Sequence, residues 1–192
     1  QEKHFAVSKN KLAKFAEMEH FQNVIQAPLR QLNNEDFYLK GCWADKVFGN
    51  SNPVILELGC GKGEYAVQLA EKYPEMNVIG VDIKGARKFT GAKQAIAKNL
   101  KNAAFLRTNI EAIDRFFAPG EVAEIWLTFP DPQMKKTSRR LTSSFFLERY
   151  RRILQLNGII HLKTDSNFQF SYTRELVHFN QFEVVAETPD LY

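Results

Sequence analysis

The 192-residue chain is short of several things, and each shortage excludes a class of protein. Two cysteines, Cys42 and Cys60, are too few for a disulfide scaffold or a four-ligand zinc site. Four histidines, His4, His20, His161 and His178, pair with no other ligand types, so no metal is expected. No apolar run approaches the ~20 residues that cross a bilayer, and no membrane partner is expected. The opening stretch QEKHFAVSKNKLAKF has neither an apolar segment nor a cleavage signal, so secretion is not indicated. Repeats and low-complexity tracts are missing as well. An excess of one charge is nearly absent: 26 basic residues against 22 acidic leave +4. Disorder is excluded by the 44% of hydrophobic residues, enough for one core of ordinary size.

What charge there is lies unevenly. Between Gln133 and Arg152 stand Lys135, Lys136, Arg139, Arg140, Arg149, Arg151 and Arg152 against Glu148 alone, so the remainder of the chain sums to −2. Lys3, Lys9, Lys11 and Lys14 make a second basic stretch against Glu2. Two basic segments on a near-neutral body suit an anionic partner; the plain alternative is a solvated helix face and a soluble tail.

Residues 1–48 are mixed in character, with a short amphipathic helix expected near Leu12 to Phe21 and a connection through Pro28; they are expected as an N-terminal basic arm and helical extension. Residues 49–192 alternate apolar strands and amphipathic helices. Strands are expected at Val54–Leu58, Asn77–Ile83, Ala104–Arg107, Glu124–Phe129, Ile159–Thr164 and Phe182–Ala186. Helices are expected over Glu64–Tyr73, along the stripe Ala86, Phe89, Ile96, Leu100, over Ala112–Phe117, over Thr142–Leu156 with Gly158 as its cap, and along Phe168, Tyr172, Leu176, Phe179. The order predicts an α/β fold with a doubly wound, mostly parallel sheet whose ligand binds at the carboxyl ends of the strands. Most of the 16 phenylalanines fall on helical stripes and belong to the core.

Glu57-Leu58-Gly59-Cys60-Gly61-Lys62-Gly63 closes the first of these strands and opens a helix. Glycines there let backbone approach a ligand, and the helix start supplies free N–H groups. A phosphate-cleaving loop would need Lys-Ser/Thr after the glycines, and a dinucleotide fold would need GxGxxG; the spacing here is GxGxG, with Cys60 a small residue between two glycines. Asp82, 23 residues after Gly59, suits a ribose diol, and Glu57 suits a cationic amine. Asn109, after the next strand, is placed for an adenine edge or for a helix N-cap. S-adenosylmethionine has a ribose, an adenine and an ammonium and no pyrophosphate, and the arrangement resembles the Rossmann-like class I methyltransferases; the plain alternatives are a structural glycine turn or a different nucleotide.

The stretch Trp126-Leu127-Thr128-Phe129-Pro130-Asp131-Pro132-Gln133-Met134-Lys135 is the most specific in the chain. It stiffens Asp131 between two prolines at the mouth of the sheet. With Lys9–Leu12, the glycine turn, Arg139-Arg140-Leu141-Thr142 and Thr164-Asp165, it resembles the bacterial tRNA (guanine-N7)-methyltransferase family over nearly the whole chain. Gln133 stands where that family usually has Trp. The resemblance implies methyl transfer from S-adenosylmethionine to N7 of guanine 46 in the variable loop of tRNA, leaving S-adenosylhomocysteine, in a cytoplasmic monomer or homodimer. It implies that Glu57, Gly59, Gly61, Asp82, Asn109 and Asp131 line the donor pocket, with Asp131 catalytic, and that Lys135, Asp165, Arg139 and Arg140 face the substrate. It also implies a Thr-x-x-Glu motif and a further strand beyond Tyr192. Other readings are the same fold acting on another RNA or a small molecule, an RNA-binding module without catalysis, and a nicotinamide dehydrogenase, for which the glycine spacing is wrong.

Overall fold

Val54-Ile55-Leu56-Glu57-Leu58 carries large aliphatic side chains on both faces, and such a strand needs cover above and below. In the computed structural model, which describes residues 21–32 and 35–189 apart from the side chains of 85–89, it has that cover. Six strands, β1 (Val24–Gln26), β2 (Val54–Leu58), β3 (Asn77–Asp82), β4 (Ala103–Arg107), β5 (Val122–Thr128) and β6 (Leu154–Lys163), form one sheet in the order β1-β4-β3-β2-β5-β6. Every neighbouring pair is parallel. The helices are α1 (Glu64–Lys72), α2 (Gly85–Ala97), α3 (Ser144–Ile153) and α4 (Asn167–Phe179).

The two-residue alternation of the strands sorts their side chains into two cores. Ile55, Val78, Ala103 and Phe105 face the buried side of α1, made of Ala66, Val67, Leu69 and Ala70, and Ala92 and Ala95 of α2. Val54, Leu56, Leu58, Ile79, Val81, Ala104 and Leu106 face the opposite layer, with Phe146, Leu147, Tyr150 and Ile153 of α3. Each such Val, Leu, Ile or Phe side chain contributes about 1.5–3 kcal/mol by leaving water. Pro74 ends α1, and Asn102 donates its side-chain amide to the carbonyls of Ala70, Tyr73 and Met76 there.

From Val24 on, the expected N-terminal extension is packed into the same fold. β1 extends the sheet beside β4, a strand the sequence pattern did not mark because it is only three residues long. Trp43 is fully buried, stacks on Phe117 at 5.0 Å and donates its indole N–H to the Phe116 carbonyl at 2.7 Å. Glu121 fastens this segment by accepting the N–H groups of Gly41, Trp43 and Ala118. A π-helical turn, Ala44–Phe48, ends at Gly49. The amphipathic helix expected near Leu12 to Phe21 lies outside the described residues, save Phe21.

Three expected elements differ. Phe182–Ala186 is not a strand: residues 182–188 have no regular structure and pair with none of the six strands. Gly158 is not a cap. Leu154 passes straight from α3 into β6, and Gly158 sits in a bulge between Leu154 and Ile159, where a Cβ would approach the carbonyl oxygens of Gln155 and Ala123 at 3.0 and 3.1 Å. The helix expected over Ala112–Phe117 is a 3-10 segment, Ile110–Arg115, kinked at Ala112.

Trp43→Ala should destabilise the fold by about 3–5 kcal/mol, as removal of a large buried aromatic does, read as a lower urea midpoint at unchanged slope.

Candidate active site

Because the strands are parallel and joined by crossovers, β2 to β6 finish along one edge, at Leu58, Asp82, Arg107, Thr128 and Lys163. The chain leaves β2 toward β3 by α1 on one face and returns to its other edge as β5, so a crevice opens beyond β2. Of the residues singled out in the sequence, Glu57 lies one residue before such an end, Gly59, Gly61, Asp82, Asn109, Asp131 and Asp165 lie at an end or up to three residues past it, and Lys135, Arg139 and Arg140 lie further along the chain after β5.

Glu57, in the last turn of β2 before the glycines, is 1% exposed. Its Oε1 accepts the Thr128 hydroxyl at 2.5 Å across the β2–β5 pair, and its Oε2 has no hydrogen bond. Burial pushes this carboxyl up to about 7, with a smaller push from the Asp82 carboxylate, against the opposing pulls of the Thr128 hydroxyl and the Ala66 backbone N–H at the start of α1. A buried carboxyl with one oxygen unanswered destabilises the free protein and is ready for a cationic group. Thr128 was missed in the sequence; its signal is a hydroxyl at the end of an otherwise apolar strand beside the acid-bearing one.

Beyond Glu57, Gly59, Gly61 and Gly63 take φ of +77°, +56° and +80°, which is why this turn is built of glycine. The turn is also pressed against its neighbours: a Cβ on Gly63 would lie 2.5 Å from Phe105, and Gly91 of α2 donates its N–H to the Lys62 carbonyl at 2.8 Å. Asp82 closes the other side. Its Oδ2 accepts the Gly61 N–H at 3.1 Å and its Oδ1 the Lys84 N–H at 2.7 Å.

Asn109 follows β4 next to Thr108, whose N–H donates to the Asp82 carbonyl at 3.3 Å. Asn109 does not cap the 3-10 segment with its side chain, which leaves that half-buried amide available for another partner.

Asp131 is exposed on the loop after β5. Phe129 at its start donates to the Lys163 carbonyl at 2.7 Å, tying the loop to the end of β6. Asp131 Oδ1 accepts the Gln133 N–H at 2.9 Å, so part of the carboxylate orders its own loop. Phe129 and Gln133 both have positive φ, +46° and +47°, a conformation that bulky side chains resist. Asp165 is exposed between β6 and α4, just before Ser166, which caps α4 by accepting the Gln169 N–H at 3.2 Å.

The basic run divides three ways. Lys135, Lys136 and Arg139 are exposed, and no ion-pair partner for them occurs among the described residues. Arg149, Arg151 and Arg152 on α3 are engaged with their own chain, at the Glu111 carbonyl, the Asn180 carbonyl and the Asp114 carboxylate. Arg140, expected to face the substrate, is 5% exposed and turned into the protein.

A six-stranded all-parallel sheet with a glycine turn after β2, a carboxylate ending β3 and another on the loop beyond β5 has the frame of a Rossmann-like methyltransferase. The family model "Putative methyltransferase" matches residues 51–191. Among solved structures, the 16S rRNA methyltransferase KamB superposes with a TM-score of 0.52 at 20% identity, over 64% of this chain and 58% of that one, a likeness of fold alone. A tRNA (guanine-N(7)-)-methyltransferase of Bacteroides thetaiotaomicron is 55% identical over 186 residues, 97% of this chain and 74% of that protein. Another, of Christiangramia forsetii, is 52% identical over 187 residues, 96% of this chain and 84% of that protein. The chain belongs to the tRNA (guanine-N(7)-)-methyltransferase family.

Because the folded pKa of Glu57 is raised, ionisation of this carboxyl works against folding. The stability it permits is complete below about pH 4.5 and is lost as pH rises through about 7. Glu57→Gln should therefore flatten this part of the pH profile and leave the free protein about 3 kcal/mol more stable than the parent at pH 8, measured by urea unfolding across pH 4.5–8.

Proposed function

We propose that this chain methylates N7 of guanine in tRNA, at position 46 of the variable loop, with S-adenosylmethionine as donor. The observation that carries the reading is the buried, half-unpaired Glu57 above a glycine turn, one strand away from the loop that presents Asp131, in a chain so close to its named relatives.

The residues present fit the donor. Glu57 has a buried oxygen without a hydrogen bond for an ammonium, Asp82 sets a carboxylate beside the glycine turn as an acceptor for a ribose diol, and the Asn109 amide is available for an adenine edge. When bound, S-adenosylmethionine supplies an electrophilic methyl carbon on a sulfonium. The rest is the work of this chain. Guanine N7 has an in-plane lone pair and no proton, so no strong base has to remove one. The demand is alignment of the nucleophile with the methyl carbon and sulfur. As the methyl transfers, positive charge passes to the purine. The Asp131 carboxylate stabilises that charge and accepts from guanine N1–H or the exocyclic amine. Lys135, Arg139 and Asp165, exposed beyond the strand ends, meet the RNA, the cations on phosphate and the acid on base or sugar donors.

Incubation with unmodified tRNA and methyl-labelled donor, followed by digestion, should yield labelled 7-methylguanosine mapping to position 46. A different methylated nucleoside would replace this reading with another RNA target. Asp131→Ala should abolish turnover while donor binding by calorimetry persists; methylation at the parent rate would remove Asp131 from the chemistry. Donor affinity should rise as pH passes upward through about 7, with proton release, as Glu57 ionises to meet the ammonium. Lys135→Ala should weaken tRNA binding more than donor binding, and tRNA binding should fall steeply with salt.

A further inference from the structure

Arg140 is the most confined cation of the basic run, and its surroundings describe a task. Its Nε donates to the Pro132 carbonyl at 2.9 Å and its Nη2 reaches the Met134 carbonyl at 3.4 Å. Its guanidinium carbon lies 4.7 Å from the Phe168 ring centroid and 4.4 Å from that of Tyr172, two rings one turn apart on α4. The two carbonyls flank Gln133, whose φ is +47° and whose N–H holds Asp131 Oδ1. The neighbours of Arg140 are equally engaged. Leu141 Cδ1 packs over Gly59, 3.2 Å from where a Cβ there would be, and the Leu141 carbonyl accepts the Tyr150 hydroxyl at 2.9 Å. The Thr142 hydroxyl meets that of Thr173 at 2.9 Å. Residues 140–142 thus touch the loop bearing Asp131, the glycine turn, α3 and α4.

We propose that Arg140 is a positioning residue for methyl transfer: it holds the strained Pro132–Met134 segment, and through it Asp131, in place, and it does not bind RNA phosphate. A planar fork beside two rings does what an ammonium cannot. It donates in two fixed directions to two carbonyls while its guanidinium lies within cation–π reach of both aromatic side chains. The loop requires such a restraint because Phe129 and Gln133 both occupy left-handed conformations and would relax without it. The proposal rests on the tRNA methyltransferase reading for its kinetic consequence and on the geometry alone for its structural one.

Arg140→Lys separates the two roles, since it keeps the charge and loses the fork. For the full chain at saturating tRNA and donor, the single-turnover rate should fall roughly 10²-fold, the loss that accompanies misplacement by about an ångström. The dissociation constants for tRNA and S-adenosylmethionine, and the salt slope of tRNA binding, should stay within twofold. Arg139→Ala, by contrast, should weaken tRNA binding and lower the salt slope by about 0.7–0.9. Tyr172→Leu, which removes one ring and spares both hydrogen bonds, should give a smaller loss of rate with the same unchanged affinities. Unfolding midpoints confirm that each variant is folded at the assay temperature. Hydrogen exchange at the Gln133 and Lys136 amides, read without substrate, should quicken at least tenfold in Arg140→Lys. An Arg140→Lys enzyme at the parent rate, or one whose only defect is tRNA affinity, overturns the proposal. If the parent chain makes no 7-methylguanosine, the functional reading fails by itself, and exchange at those two amides still decides the role of Arg140: protection equal to the parent's refutes it.

Discussion

The register of β2 between its two parallel neighbours is the constraint on which the site depends. Glu57 stands opposite Gly80 on β3 and Trp126 on β5, and this pairing brings Thr128 within reach of its carboxyl. A slip of one residue would turn Glu57 to the other face and expose the apolar set that now fills both cores. Burial on both faces makes such a slip costly, since Ile55, Leu56 and Leu58 are each at most 1% exposed. Crossover chirality then leaves every strand pointing the same way, so one edge of the sheet collects all the strand ends. The chemistry is assembled along that edge from residues that are far apart in the chain.

The same edge is where the protein departs from the arrangement that would be most stable. Glu57 keeps an oxygen without a hydrogen bond, as do the Thr108 hydroxyl and both polar atoms of the fully buried Gln169. Two side-chain-bearing residues take left-handed backbone in the loop after β5. Unsatisfied polar atoms and strained backbone each oppose folding, and they persist only where surrounding structure holds them. Here the surroundings are well packed on both sides, from Trp43 beneath the sheet to the glycine contacts between the turn and α2. A firm scaffold carrying a locally unfavourable edge is the expected arrangement for a binding site that must offer free hydrogen-bonding capacity.

Fold and target are carried by different parts. The sheet and its helices are shared with a 16S rRNA methyltransferase at 20% identity, so the layers alone say nothing about which nucleotide is modified. What this chain holds in common with its named relatives at 52–55% identity extends beyond the layers. In this chain the segment from Phe129 to Arg140 carries an acid, three exposed cations and one buried one.

Local patterns were enough to read much of this from the chain. The apolar run of β2, its glycine turn, the acid ending β3 and the Pro-Asp-Pro loop are each contiguous, and each owes its form to its own residues: side-chain alternation, tolerance of positive φ, or a ring that restrains backbone. What was not legible depends on partners distant in sequence. Three-residue β1 exists because β4 has a free edge, Gly158 serves a bulge rather than a cap because β6 begins at once after α3, and Trp43 is core because the segment before β2 folds back onto Phe116 and Phe117. Arg140 shows the division most plainly. The sequence determines that it is a cation in a basic run, beside a loop stiffened by proline. Only the packing of α4 against that loop supplies two rings and two carbonyls around one guanidinium, and so turns a charge that reads as a phosphate ligand into an internal brace.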